Sequence, residues 1–340
     1  MNKLFKIASF VLSVAVFAPN VHAKEFVEMF TPEETGLNVQ KITDENNNSV
    51  CGSVTGKGLP SNFTLTSLGG CKDAKFRWTC NQLLSLSPDG ERLAYVGEVN
   101  KQHNVMIRKA TAVGASTQRS FRNVSGIHWG ADDKLYYADI TDFPQSRISC
   151  TNAMSGNIMR QLTNNNSDNN PVVTKDGNIV FFTRLDKSGP SIWALNQKTG
   201  ELTSCARGFN PAIIGDKTDE FLCVRNSTSG NSEIWLVNYD KGQETLILSD
   251  KNRGYTNPIV SPDGQWILVV GNNKSAISKK HNLDIFAVKI DGSNLVQLTY
   301  HPADDCSPIW SADGKSVFFI SYRTNKDDYY NIWKLRFDLM

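Results

Sequence analysis

A six-bladed β-propeller of four-stranded blades, all-β, is the fold this sequence predicts, and three observations carry the prediction. A hairpin phrase recurs six times, further strands follow each hairpin, and the phrase missing after the last hairpin stands near the start of the chain. The hairpins are LLSLSPDGERLAYVG (83–97), GIHWGADDKLYYADI (126–140), PVVTKDGNIVFFTR (171–184), PAIIGDKTDEFLCVR (211–225), PIVSPDGQWILVVG (258–271) and PIWSADGKSVFFIS (308–321). Each joins two apolar strands across a turn built on Asp and usually Gly. Asp-Gly between alternating hydrophobics signals a two-residue hairpin turn with both residues at positive φ.

A third strand follows every hairpin (NVMIRKA, SRISCTN, SIWALNQ, EIWLVNY, DIFAVKI, NIWKLRF), alternating apolar and polar residues as a packed strand does. A weaker fourth follows five of them: STQRSF, IMRQLT, ELTSCA, ETLILS and LVQLT. The turn positions Gly90, Asp133, Gly177, Thr218, Gly264 and Gly314 are spaced by about 41 to 50 residues, the period of a propeller blade. A pair of β-sandwiches would show many short strands but not one phrase six times in register. No segment longer than two turns keeps a 3.6 period, which excludes a helical solenoid.

The sixth unit ends at NIWKLRFDLM without a fourth strand, while GLNVQKIT (36–43) matches GSNLVQLT (292–299). The early phrase is expected to pair beside residues 331–337, closing the ring and covering an edge that would otherwise template aggregation.

Residues 1–23 carry the charged, apolar and small-residue order of a secretory signal: MNKLFK, then IASFVLSVAVFA, then Ala23. The expected organisation is a signal peptide at 1–23, a closing strand and irregular connector at 24–79, and the propeller at 80–340. Once Lys3 and Lys6 leave with the signal, 34 basic residues balance 34 acidic ones. That balance gives no electrostatic footprint for nucleic acid or an anionic membrane. The mature protein is expected to be periplasmic or secreted, not inserted in the membrane, and monomeric. Seven cysteines in an exported chain permit disulfides, and the nearest pairs, Cys71/Cys80 and Cys205/Cys223, are the candidate bridges.

No cofactor or metal is expected, because metal-ligand, phosphate-loop and dinucleotide motifs are missing. The Ser-Pro-Asp-Gly stretches read as turns, Asp accepting a backbone hydrogen bond and Gly supplying the left-handed position. Asn170, Asn210, Asn257 and Ser307, each before a proline, share one register at the start of the innermost strand, with Leu83 and Ser125 roughly matching. They are expected to ring one channel mouth, as turn openers or as hydrogen-bonding groups for water, a cation or a partner. Asp304 and Asp305 enter the sixth blade, as a solvated loop or a cation or sugar site. Arg184, Arg225 and Arg323 lead into loops on the same face, to bridge blades or to receive a partner's carboxylate. Tyr322, Tyr329 and Tyr330 beside Arg323 have the composition of a binding hot spot.

The phrase in NPIVSPDGQWILVV, DIFAVKI and LVQLT (residues 257–299) resembles the repeat of TolB-type propellers, and the resemblance covers residues 80–340. It implies the architecture, a periplasmic setting and partner binding. The same repeat occurs in propellers of prolyl-oligopeptidase-like peptidases and of some polysaccharide lyases. The chain departs from each. About 55 residues precede the first blade, where TolB carries a separate α/β domain. No Gly-x-Ser-x-Gly turn is present. His103, His128, His281 and His301 are spread over four blades. The expected function is an exported binding module, with an envelope or secreted protein as partner. The alternative is an enzyme or binding protein acting on a carbohydrate or small molecule at the channel mouth.

Overall fold

The computed structural model describes residues 37, 39–43, 82–99, 102–111, 116–118, 123–142, 145–156, 160–165, 167–228, 230–274, 281–321, 323 and 330–337. Cys51, Cys71, Cys80, Tyr322 and Tyr329 lie outside them, as do the signal and most of the connector. Strand β1 (Gln40–Lys41) precedes the ring. The first blade holds β2 (Leu84–Leu86), β3 (Arg92–Val99), β4 (Gln102–Lys109) and β5 (Thr117–Gln118). The second holds β6 (Val124–Trp129), β7 (Lys134–Asp139), β8 (Arg147–Asn152) and β9 (Arg160–Gln161). The third holds β10 (Asp168–Val173), β11 (Ile179–Asp186), β12 (Gly189–Asn196) and β13 (Leu202–Arg207). The fourth holds β14 (Phe209–Ile213), β15 (Glu220–Asn226), β16 (Ser232–Asn238) and β17 (Gln243–Leu248). The fifth holds β18 (Tyr255–Val260), β19 (Trp266–Lys274), β20 (His281–Lys289) and β21 (Val296–Gln297). The sixth holds β22 (Asp305–Trp310), β23 (Ser316–Ser321) and β24 (Asn331–Arg336).

Each blade is an antiparallel four-stranded sheet, and the sixth has the order β1-β24-β23-β22. The innermost strands β2, β6, β10, β14, β18 and β22 contact one another in sequence, and β22 returns to β2, which closes the ring around a channel. Core side chains lie between blades; Leu268 and Ile285 of the fifth blade pack with Phe319 and Trp333 of the sixth.

The closing strand is made as its phrase requires. Gln40 pairs with Lys334 and Lys41 with Trp333. The Ile42 amide donates to the Ile332 carbonyl at 2.8 Å, and the Ile332 amide donates to Thr43 Oγ1 at 2.9 Å. The second blade repeats this with Leu162, Ile148 and Thr163, and the fifth with Leu298, Ile285 and Thr299. The recurrent threonine thus serves as a hydroxyl acceptor for one third-strand amide, where an aliphatic residue of similar shape would leave that donor unpaired.

The turns differ from the two-residue form expected. In the first blade Gly90 N–H donates to the Ser87 carbonyl at 2.9 Å and Ser87 N–H to the Arg92 carbonyl at 2.8 Å. Gly90 has φ +74°, and Asp89 is not at positive φ. This is a longer loop around a type I turn: Pro88 supplies the fixed φ at its second position and only glycine needs the left-handed region. In the fourth blade the positive-φ residue of the turn is Gly215, not Thr218.

Candidate functional site

The Asn-Pro phrase does not open a turn. It lies inside the innermost strand, at a bulge. Pairing with the second strand skips between Asn169 and Val172, Phe209 and Ala212, Thr256 and Ile259, and Cys306 and Ile309. Asn170, Asn210, Asn257 and Ser307 take φ of +48° to +50° there. A bulge needs a left-handed residue, which Asn tolerates, and the following proline sets φ without losing a needed donor. In the second blade the place belongs to Gly126 (φ +90°) rather than Ser125, and a Cβ on Gly126 would lie 2.8 Å from Asn170 Oδ1.

The bulge turns these side chains inward, where they tie blades together. Asn170 Nδ2 donates to Asn210 Oδ1 at 2.5 Å and Asn210 Nδ2 to Thr256 Oγ1 at 3.2 Å. Gln82 crosses the channel: its Oε1 accepts from Asn257 Nδ2 at 3.3 Å and its Nε2 donates to the Pro308 carbonyl at 3.2 Å. The Leu83 amide donates to Ser307 Oγ at 3.2 Å. All four bulge residues are buried. The belt is a septum within the channel.

The arginines are also engaged within the fold. Arg184 makes a two-bond fork to Asp168 at 2.7 and 2.9 Å, with its guanidinium 4.4 Å from the centre of the Trp193 ring. Arg323, 1 % exposed, donates to Asp305 Oδ2 at 2.6 Å between the Phe319 and Trp333 rings. Arg225 forks onto Glu244 at 2.7 Å for both bonds, over Trp235. Each carboxylate partner lies within the arginine's own blade, and Arg225 also bridges blades, its Nε donating to the Arg207 carbonyl of the third blade at 2.9 Å. Asp305 is therefore the counter-charge of Arg323, and Asp304 accepts the Leu283 amide of the preceding blade at 3.0 Å. Tyr330 is half-buried against the core shared by the first, second and sixth blades.

The proposed Cys205/Cys223 bridge is corrected. Both are free thiols, on the outer strand of the third blade and the second strand of the fourth. Burial pushes each thiol up to about 12, so neither is a ready thiolate nucleophile. Cys150 and Cys306 are buried and form no disulfide among the described residues.

The open site lies at the other end of the channel, on the face of the Asp turns. A cavity of about 340 Å³ draws on all six innermost strands. Gln82 is at its floor; Leu84, Leu86, Val172, Ile213, Ile259 and Val260 are among its walls, with Pro88 and Pro262 at the rim. His128 and Lys175 are its titratable groups. Desolvation brings the His128 pKa down to about 4, so the ring is neutral near pH 7, and Lys175 pairs with Asp216 at 3.0 Å. The sequence reading missed these residues because they look like ordinary strand core. The available signal was the position after Asn-Pro, aliphatic in Val172, Ala212, Ile259 and Ile309 but broken by His128 and Ser85 at the same register. Among the described residues no group of three or more His, Cys, Asp or Glu could hold a metal ion, and no helix is long and apolar enough to cross a membrane.

No family model matches the chain. An uncharacterized protein of Agrobacterium fabrum is 30% identical over 181 residues, 51% of this chain and 57% of that protein. The match thus spans little more than half of the relative. A putative TolB from Agrobacterium tumefaciens superposes with a TM-score of 0.56 at 17% identity, over 75% of this chain and 90% of that one. TolB from Acinetobacter baumannii gives 0.55 at 16%, over 75% and 63%. An oligogalacturonate lyase from Vibrio parahaemolyticus gives 0.53 at 12%, over 88% and 97%. The fold is that of a TolB-like β-propeller, and the same architecture serves a lyase.

Proposed function

We propose that the chain is an exported interaction module of the periplasm, residues 1–23 being its export signal, and that it receives a protein segment at the channel mouth on the face of the Asp turns. The observation that carries this reading is the cavity of about 340 Å³, apolar-walled and framed by all six blades. Its volume suits one or two large apolar side chains, and a rigid scaffold around a concave apolar site keeps its own ordering cost on binding small. The bulge asparagines and fork arginines have partners within the ring, which disfavours the opposite face as the binding surface.

The test is capture of envelope proteins with wild type beside Leu86→Glu and Ile213→Glu, each placing a charge on a half-buried wall position. Both variants should keep the wild-type melting temperature and lose the partner recovered by wild type. Recovery of the same partner by both, at wild-type yield, would sink the reading. A small-molecule or carbohydrate ligand in the same cavity would instead leave protein capture empty and show as a shift in melting temperature with envelope sugars.

A further inference from the structure

The mouth carries charge in an uneven way. Every turn that frames it presents carboxylates, and the turn bases are largely occupied by them: Arg92 pairs with Asp89 at 3.3 Å, Lys134 with Asp132 at 2.6 Å and Lys175 with Asp216 at 3.0 Å. Asp176, Asp263 and Asp313 make no ion pair among the described residues. Each is fixed by its own turn: Thr174, Ser261 or Ser311 donates its hydroxyl to the carboxylate at 2.5 to 2.6 Å. The amides of Asn178, Gln265 and Lys315 donate to the same oxygens at 3.0 to 3.1 Å. Those bonds hold the carboxyls below their ordinary pKa, the hydroxyl being the largest cause, so all three are ionised and oriented. Lys198 and Lys315 are close enough to act on Asp176 and Asp313, whereas no base acts on Asp263.

An apolar cavity under a rim of fixed, surplus negative charge is complementary to one class of occupant. We propose that the partner segment is basic: an apolar side chain seated between Leu86, Ile213 and Val260, flanked by lysine or arginine side chains that meet Asp176, Asp263 and Asp313. This rests on the mouth being the binding site and adds the partner's charge. The rim carboxylates contribute mainly steering and selection against acidic segments, and their effect weakens with salt.

The probe is a display library of random nine-residue peptides panned against the full chain, against Leu86→Glu, and against the triple variant Asp176→Asn, Asp263→Asn, Asp313→Asn. Asparagine keeps the turn's hydrogen-bond acceptor and removes the charge. Wild type should enrich peptides with an apolar centre and net positive charge. Leu86→Glu should lose them, and the triple variant, assayed well below its own lowered melting temperature, should bind them at least tenfold more weakly at low salt. Enriched peptides that depend on Leu86 but are neutral or acidic would overturn the basic partner and leave the mouth reading intact. Enriched peptides indifferent to Leu86→Glu, or no enrichment, would overturn the mouth reading itself.

Discussion

Single residues in this ring divide into those whose charges are buried and those that are wet. Arg323 and Asp305 are both withdrawn from water, so Arg323→Ala strands a buried carboxylate and should cost about 3–5 kcal/mol. Arg225 faces a Glu244 that is 43% exposed, and Glu244→Ala, which leaves the Arg225 bond to the Arg207 carbonyl in place, should cost below about 1 kcal/mol. Urea unfolding of the two variants measures the contrast. Equal losses would contradict the assignment of the one pair as core and the other as surface. The pairing was hidden in the sequence, because Asp168 and Asp305 lie 16 and 18 positions before their arginines, and only strand pairing joins them. An arginine before a loop therefore read as a candidate contact for a partner.

His128 makes the stability of the fold depend on pH. Its folded pKa is lowered from 6.5 to about 4 by desolvation. The unfolded chain takes up a proton below about 6.5 while the folded chain resists it, so this residue's contribution is fully present above that pH and fades as pH falls toward 4. His128→Gln should flatten the loss of stability between pH 6.5 and 4.5 relative to wild type. Parallel profiles of urea midpoint against pH would contradict it. The turn carboxylates act in the same direction at lower pH: held below 3.8, they stabilise the fold above that value and lose the effect as they protonate.

Elements show how a short phrase can carry architecture. β1 pairs through two residues, yet the residues flanking it supply the Thr43 hydroxyl that the Ile332 amide requires and put Val39 and Ile42 into the core. Thr43→Val should destabilise the ring by about 1–3 kcal/mol, the cost of one buried donor left unpaired. Deleting residues 24–43 should lower the melting temperature further. A truncation that melts like wild type would remove the closing role of this strand. This element was legible because the Gln-x-x-Thr and Gln-Leu-Thr phrases use the same hydrogen bonds in three blades. The Asn-Pro phrase was legible as a register but not as a bulge. Its physical meaning depends on a positive φ and on neighbours from other blades, neither of which periodicity records.

At the scale of the whole molecule, ring closure decides which end of the channel is open. Five blades contribute Gln82 and the inward polar residues that bridge the bore at one level, and the aliphatic residues further along the same strands wall a cavity at the other. Leu86, Val172, Ile213 and Val260 are indistinguishable by sequence from side chains packed between blades; they become walls of a mouth only because the ring brings them to one axis. Rim aspartates that look like turn residues in every repeat acquire a collective charge for the same reason.

A photo-crosslinking amino acid placed at Ile213, inside the mouth, and separately at Lys187, in the exposed loop between β11 and β12 on the opposite face, tests in intact cells whether the mouth is the binding surface. A discrete protein adduct is expected from position 213 and none from position 187. An adduct from 187 with none from 213 would contradict it.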